Sequence, residues 1–143
     1  MSNADLISRG LEAFNAHDAE GLRAVMSAEC VCSAPGGMVF EGVDACIQFN
    51  QTWWEAFPDA SVRVTGLHDA GEYVTETGIF SGTHRGVLRT PMGDIPPTGR
   101  SVEGPYIQVF RVRGDRIVEQ NLMFDRMNLM EQLGLTPAPA AAR

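Results

Sequence analysis

The stretch from Pro105 to Asp125, PYIQVFRVRGDRIVEQNLMFD, decides the fold. Two runs rich in β-branched and aromatic residues flank Gly114-Asp115, the pattern of a β-hairpin closed by a tight two-residue turn. With Arg113 opposite Arg116, alternation pairs Val112 with Ile117, Phe110 with Glu119, Gln108 with Asn121 and Tyr106 with Met123. These share one face, and Asp125 continues the series. The other face then carries Ile107, Val109, Val118, Leu122 and Phe124, with Arg111 and Gln120 among them. Both faces are largely apolar, and the first also holds a carboxamide pair and a terminal carboxylate. Polar groups set into an apolar surface suit a ligand cavity better than a plain packed sheet.

Upstream the pattern changes from helical to alternating at Asp59. Ser2 or Asn3 caps a first helix with Leu6, Ile7, Leu11 and Phe14 at helical spacing. Asn15 to Asp18 breaks it, placing His17 in a connection, and Asp18 caps a second helix through Leu22, Val25 and Met26. A short strand, Glu29 to Ala34, ends at Pro35-Gly36-Gly37, and a third helix carrying Ile47, Phe49, Trp53, Trp54 and Phe57 stops at Pro58. Ser61 to His68 and Glu72 to Thr83 form a second hairpin, and a Gly/Pro-rich loop, Gly86 to Arg100, leads into the long one. A last helical turn or two after Asp125 stops at Gly134. Residues 1–135 are thus expected to form a single domain, with 136–143 (TPAPAAAR) a disordered tail.

Helices followed by long antiparallel strands predict an α+β fold in which helices pack on one face of a curved sheet. The hollow between them is where a pocket forms. At 143 residues, 44% hydrophobic and 20% charged, the chain has the composition of a soluble domain with a real core. A net charge of −7 argues against nucleic-acid and anionic-membrane surfaces. No apolar run approaches the roughly 20 residues that cross a bilayer, and the N-terminus lacks a signal-peptide pattern, so a cytoplasmic protein is expected. Cys30, Cys32 and Cys46 match no zinc-site spacing and read as small apolar fillers.

Three segments carry a resemblance: FSGTHRG at 80–86, IPPTGRSVEG at 95–104 and FRVRGDRIVEQNLMFDRMNLMEQLGL at 110–135. They resemble the SnoaL-like polyketide cyclase (ester cyclase) family of the NTF2-like superfamily, whose fold is a cystatin-like α+β cone around a hydrophobic pocket. The resemblance covers the chain from Asn3 to about Leu135. It implies an intramolecular aldol condensation that closes a ring on a planar polyketide ester, with no metal and no cofactor. It implies that Asp125, ahead of Gln132-Leu133-Gly134, is the acid/base. It also implies a dimer or tetramer. In characterised cyclases the preceding strand offers a Gln and a His two apart, whereas this chain has Gln108 and Phe110.

Asp125 has a second role open to it, as the N-cap of the last helix. As a base it would gain from desolvation in an apolar pocket. Gln108 and Asn121 would hold a substrate carbonyl or satisfy each other within the sheet. Asn50 lies one turn from Trp53 and Trp54 on the third helix, and Trp53 and Tyr106 are candidates for stacking on a flat substrate. His84, in phase with Phe80 and Gly82, is a second candidate for proton transfer. Two other function classes stay open. One is an isomerase, hydrolase or hydroxylase on the same scaffold, though no second cavity aspartate completes an Asp-Arg-Asp hydrolase set, Asp94 and Asp115 being in loops. The other is a non-catalytic small-molecule-binding or dimerisation protein.

Overall fold

The computed structural model describes residues 2–135, so the expected C-terminal tail lies outside the described residues. Three helices lead, α1 (Asn3–Asn15), α2 (Ala19–Val25) and α3 (Val43–Ala56). Two strands, β1 (Met26–Ala34) and β2 (Met38–Glu41), stand before α3. The long strands are β3 (Ser61–Ala70), β4 (Tyr73–Thr83), β7 (Ser101–Arg113) and β8 (Arg116–Phe124). Between β4 and β7 a small hairpin, β5 (Leu88–Thr90) and β6 (Gly93–Ile95), forms its own two-stranded sheet inside the expected loop. Helix α4 (Arg126–Gln132) closes the chain. The α+β expectation therefore holds, with β2 and the β5–β6 hairpin as additions.

The main sheet runs β2-β1-β8-β7-β4-β3, antiparallel throughout except where β1 lies parallel to β8. Local chemistry sets the helix starts. Ser2 forms a reciprocal capping box with Asp5, and Asp18 accepts from the Gly21 N–H to start α2. The core sits between the helices and the inner sheet face, with Leu6, Ile7, Leu22, Val25, Ile47, Val74, Phe110 and Ile117 all buried. A second buried cluster around Phe57, Leu88, Val102 and Leu133 fixes α4 and the small hairpin to the end of the cone.

The hairpin turn is Gly114-Asp115, both with positive φ (55° and 60°), as the tight turn demands. Arg113 pairs with Arg116 and Val112 with Ile117, but the ladder then breaks. Arg111 faces Glu119, Phe110 faces Gln120, Val109 faces Asn121, Gln108 faces Leu122 and Tyr106 faces Phe124. Val118 is the extra residue, so β8 carries a β-bulge there. One unpaired residue exchanges the faces of everything beyond it. The expected Gln108–Asn121 pair is thereby corrected. Gln120, Leu122 and Phe124 turn inward, and Asn121 and Met123 turn out to solvent.

Candidate functional site

The inner faces of β4, β7 and β8 enclose, with α1, α2 and α3, a cavity of about 130 Å³ whose mouth is flanked by α4. Ile7, Phe14, Val25, Phe49, Trp53, Phe80, Phe110, Leu122 and Phe124 make its wall apolar. Into that wall project Asn50, Glu76, Tyr106, Gln108, Gln120 and Asp125. For scale, an engineered apolar cavity of about 150 Å³ holds one benzene molecule. One ring fits inside, and a larger ligand must extend through the mouth.

Glu76 is the most deeply placed carboxyl, only 1% exposed. It stands on β4 in phase with Val74, Gly78 and Phe80, opposite Gln108 on β7. Its Oε2 accepts two hydrogen bonds, from the Tyr106 hydroxyl at 2.6 Å and from Gln108 Nε2 at 3.3 Å. Gln108 Oε1 in turn accepts from Gln120 Nε2, and the Cys32 thiol lies 3.9 Å from Gln120 Oε1. Burial pushes the Glu76 carboxyl above its usual range, and the bonds from Tyr106 and Gln108 only partly oppose it. The Tyr106 phenol is pushed up as well, by burial and by Glu76. Among the described residues, no lysine, arginine or histidine lines the cavity to offset a second negative charge.

Asp125 occupies the other end. It follows β8, and its Oδ1 accepts from the Asn128 N–H at 2.9 Å, so it is the N-cap of α4. The same residue lines the cavity with Asn128, Leu129 and Gln132, the i, i+3, i+4, i+7 face of that helix. Capping and cavity access are thus compatible. Asp125 is an exposed residue at the rim, which corrects the expectation of a desolvated carboxyl at this position; the buried one is Glu76. Gln132 holds α4 in place, accepting from the Glu103 N–H and donating to the Glu103 carbonyl, both at 2.9 Å. Leu133 is buried and Gly134, at φ 75°, lies against the Arg100 guanidinium. Each residue of the Gln-Leu-Gly sequence therefore fastens the rim.

Of the residues singled out from sequence, Asp125, Gln108, Asn50, Trp53 and Tyr106 meet in this cavity. Asn50 is buried, and its Nδ2 donates to the Cys46 carbonyl at 2.9 Å. Asn121 does not join them: it is exposed on the outer face, where its Oδ1 accepts from Ser33 Oγ. Nor does His84, which is wholly buried outside the cavity lining. Its Nδ1 accepts from the Thr98 N–H at 3.1 Å, and its backbone exchanges hydrogen bonds with Gly99 and Arg100. His84 thus pins the Pro-Pro-Thr-Gly-Arg loop, and burial lowers its pKa, with the Gly86 backbone opposing. Sequence reasoning missed Glu76 and Gln120. The signal for Glu76 was its alternation with Val74, Gly78 and Phe80, which puts an acid in an apolar row.

Among the described residues, one group could hold a metal ion: Cys30, Cys32 and Cys46, all buried with their sulfurs within 4.8 Å of one another. They would suit a soft ion. Their contacts, however, are those of packed thiols: Cys46 Sγ donates to the Cys30 carbonyl at 3.4 Å. Hydrogen bonding to Cys30 and Cys46, and then burial, raises the Cys32 pKa and keeps it neutral. No helix among the described residues is long and apolar enough to cross a membrane.

A curved sheet and three helices around an apolar, carboxyl-bearing cavity define an NTF2-like α+β cone, a small-molecule scaffold. The chain belongs to the SnoaL-like polyketide cyclase family, whose profile matches residues 4–133. Among solved structures, it is similar to IdmH, a candidate polyketide cyclase from Streptomyces antibioticus, at 31% identity and a TM-score of 0.76, over 91% of this chain and 96% of that one. A candidate SnoaL-like polyketide cyclase from Jannaschia sp. CCS1 superposes with a TM-score of 0.83 at 20% identity, over 94% and 93% of the two chains. AclR, a candidate hydroxylase from Streptomyces galilaeus, does so at 0.78 and 21%, over 96% and 89%. The last two likenesses show the shared fold alone. No curated protein sequence matches.

Proposed function

We propose that the protein is a cofactor-independent cyclase-type enzyme that closes a ring on a planar polyketide ester by intramolecular aldol condensation, with Asp125 as acid/base. One observation carries the reading: the Asp125 carboxylate, at the end of β8, opens onto the same apolar cavity as Asn50, Tyr106 and Gln108. Asp125 takes the proton from an activated carbon. The resulting enol or enolate attacks a second carbonyl, and the protonated Asp125 returns its proton to the new alkoxide. The sequence contains no lysine, so no lysine imine is available, and the proposed reaction runs through the enol or enolate. Trp53, Phe49 and Phe124 hold the flat substrate and exclude water.

The experiment is turnover and binding, side by side, for the native protein and Asp125→Asn on an aklanonate-like polyketide ester. Lost turnover with retained binding supports the acid/base role; equal turnover overturns it. A second reading has an observation of its own. The cavity of about 130 Å³ suits a smaller ketone, for which the same base would move a proton between two carbons as an isomerase. Product analysis separates a new carbon–carbon bond from a shifted double bond. We also propose a homodimer or homotetramer, because Ile107 (48% exposed) and Met123 (61%), cross-strand neighbours on the outer sheet face, leave an apolar patch there. Leu122 and Phe124, assigned to this face by strict alternation, face inward instead.

A further inference from the structure

Glu76 is a buried carboxyl that the reaction above does not use. The geometry points to Glu76 as a second catalytic group, a neutral carboxylic acid that donates its proton to the substrate's carbonyl oxygen. The inference rests on the acid/base reading of the cavity and supplies the partner that Asp125 needs. Both donors that reach Glu76, the Tyr106 hydroxyl and the Gln108 amide, converge on Oε2. Oε1 takes no hydrogen bond among the described residues, although Glu76 lines the cavity. A proton on Oε1 therefore has the cavity as its outlet. Among the described residues no cation lines the cavity to balance an ionised Glu76, and its burial disfavours the charge. A carboxylic acid kept neutral in an apolar site is a known device for donating a hydrogen bond to a developing oxyanion.

The proton inventory closes. Asp125 as carboxylate takes the carbon-bound proton, and the electron pair of that C–H bond becomes the carbon–carbon double bond of the enol. The carbonyl oxygen takes the Glu76 Oε1 proton. When the enol carbon bonds to the second carbonyl carbon, the enol O–H returns its proton to Glu76. The new alkoxide takes the proton held by Asp125. Both carboxyl groups finish as they began, and no oxidant, reductant or metal is called for. The substrate class follows: an uncharged ketone whose enolisable carbon faces the rim and whose oxygen points inward between β4 and β7.

The test reads Glu76 directly. The protein is labelled with ¹³C at glutamate carboxyl carbons, and the Glu76 resonance is assigned by its loss in Glu76→Gln. Acetophenone labelled at its carbonyl carbon, a single ring that fits the cavity, is the probe. Expected are a Glu76 signal still in the protonated position at neutral pH, and an acetophenone carbonyl signal further downfield in the native protein than in Glu76→Leu. A Glu76 signal that titrates as an ordinary carboxylate overturns the inference. So does an acetophenone signal that is the same in both proteins, whether the ring enters unbonded or does not enter. If Glu76→Leu fails to fold, Glu76→Gln serves as the comparison, its amide being the weaker donor. These readouts are independent of turnover. An Asp125→Asn result that sinks the cyclase reading leaves Glu76 as a donor to a bound carbonyl, and an ionised Glu76 leaves the Asp125 reading standing.

Discussion

Gly78 lies directly across the β4–β7 ladder from Tyr106, and a Cβ on Gly78 would come within 2.5 Å of the Tyr106 hydroxyl. The tyrosine ring thus lies over a residue with no side chain, which is what lets its hydroxyl reach Glu76. Gly78→Ala should push the ring off its seat and weaken the bond to Glu76. The expected cost is about 1–3 kcal/mol of stability, seen in denaturant unfolding. Tyr106→Phe keeps the ring and removes only the hydroxyl, so it should cost less, about 1 kcal/mol. Equal losses would mean that the ring's position does not matter.

Asp125 combines a cap with an acid/base group, and two substitutions separate them. Asparagine caps a helix about as well as aspartate, while alanine loses about 1 kcal/mol. Asp125→Asn should therefore unfold at nearly the native denaturant midpoint and yet lose turnover by about 10²-fold or more. Asp125→Ala should lose both. Turnover that follows stability across the pair would reduce Asp125 to a cap.

Glu76 should leave a mark on the pH dependence of stability. Its folded pKa is raised, chiefly by burial, above the ordinary value of 4.5. The folded state then holds a proton that the unfolded chain releases. The contribution of Glu76 is complete below 4.5 and is lost as pH rises through the higher folded value. Chemical denaturation across that window should show the native protein weakening relative to Glu76→Gln, in which position 76 no longer titrates. Parallel curves for the two proteins would contradict the raised pKa.

His84 has the opposite sign. Burial depresses its folded pKa below 6.5, so the unfolded chain takes up a proton first as pH falls. Stability linked to His84 is present above 6.5 and drains away towards the folded value. His84→Asn should abolish that acid-side loss in thermal melts while lowering the melting temperature near neutrality. Because His84 lies outside the cavity, the kcat of the folded variant should match that of the native protein. A changed kcat would return this histidine to the chemistry.

Much of this architecture could be read from the residues, because local rules settle it. Ser2 and Asp18 start their helices by side-chain hydrogen bonds, Pro58 follows the end of α3, and Gly114-Asp115 turns the long hairpin. The assignment of faces on β8 could not be read, since strict alternation leaves no place for an unpaired residue. The trace it left is slight: Ile117 and Val118 are adjacent apolar residues, and Gln120 is in phase with Leu122 and Phe124. Strand β2 escaped because four half-exposed residues between two glycine turns show no run worth the name. Glu76 was invisible for a different reason. Its role comes from which strand lies beside β4, a relationship between residues 30 positions apart.

The unpaired Val118 gives β8 one residue more than its ladder with β7 consumes. A chain shortened by that one residue would hold the same partners, Arg111 with Glu119 and Gln108 with Leu122, in an unbroken ladder. A chain shortened anywhere beyond it, from Glu119 to Phe124, would have to choose between surrendering the bulge and turning its amides to water. Val118 is therefore the spare link of the strand, the position at which the length of this protein can change by one while the contents of its cavity stay as they are.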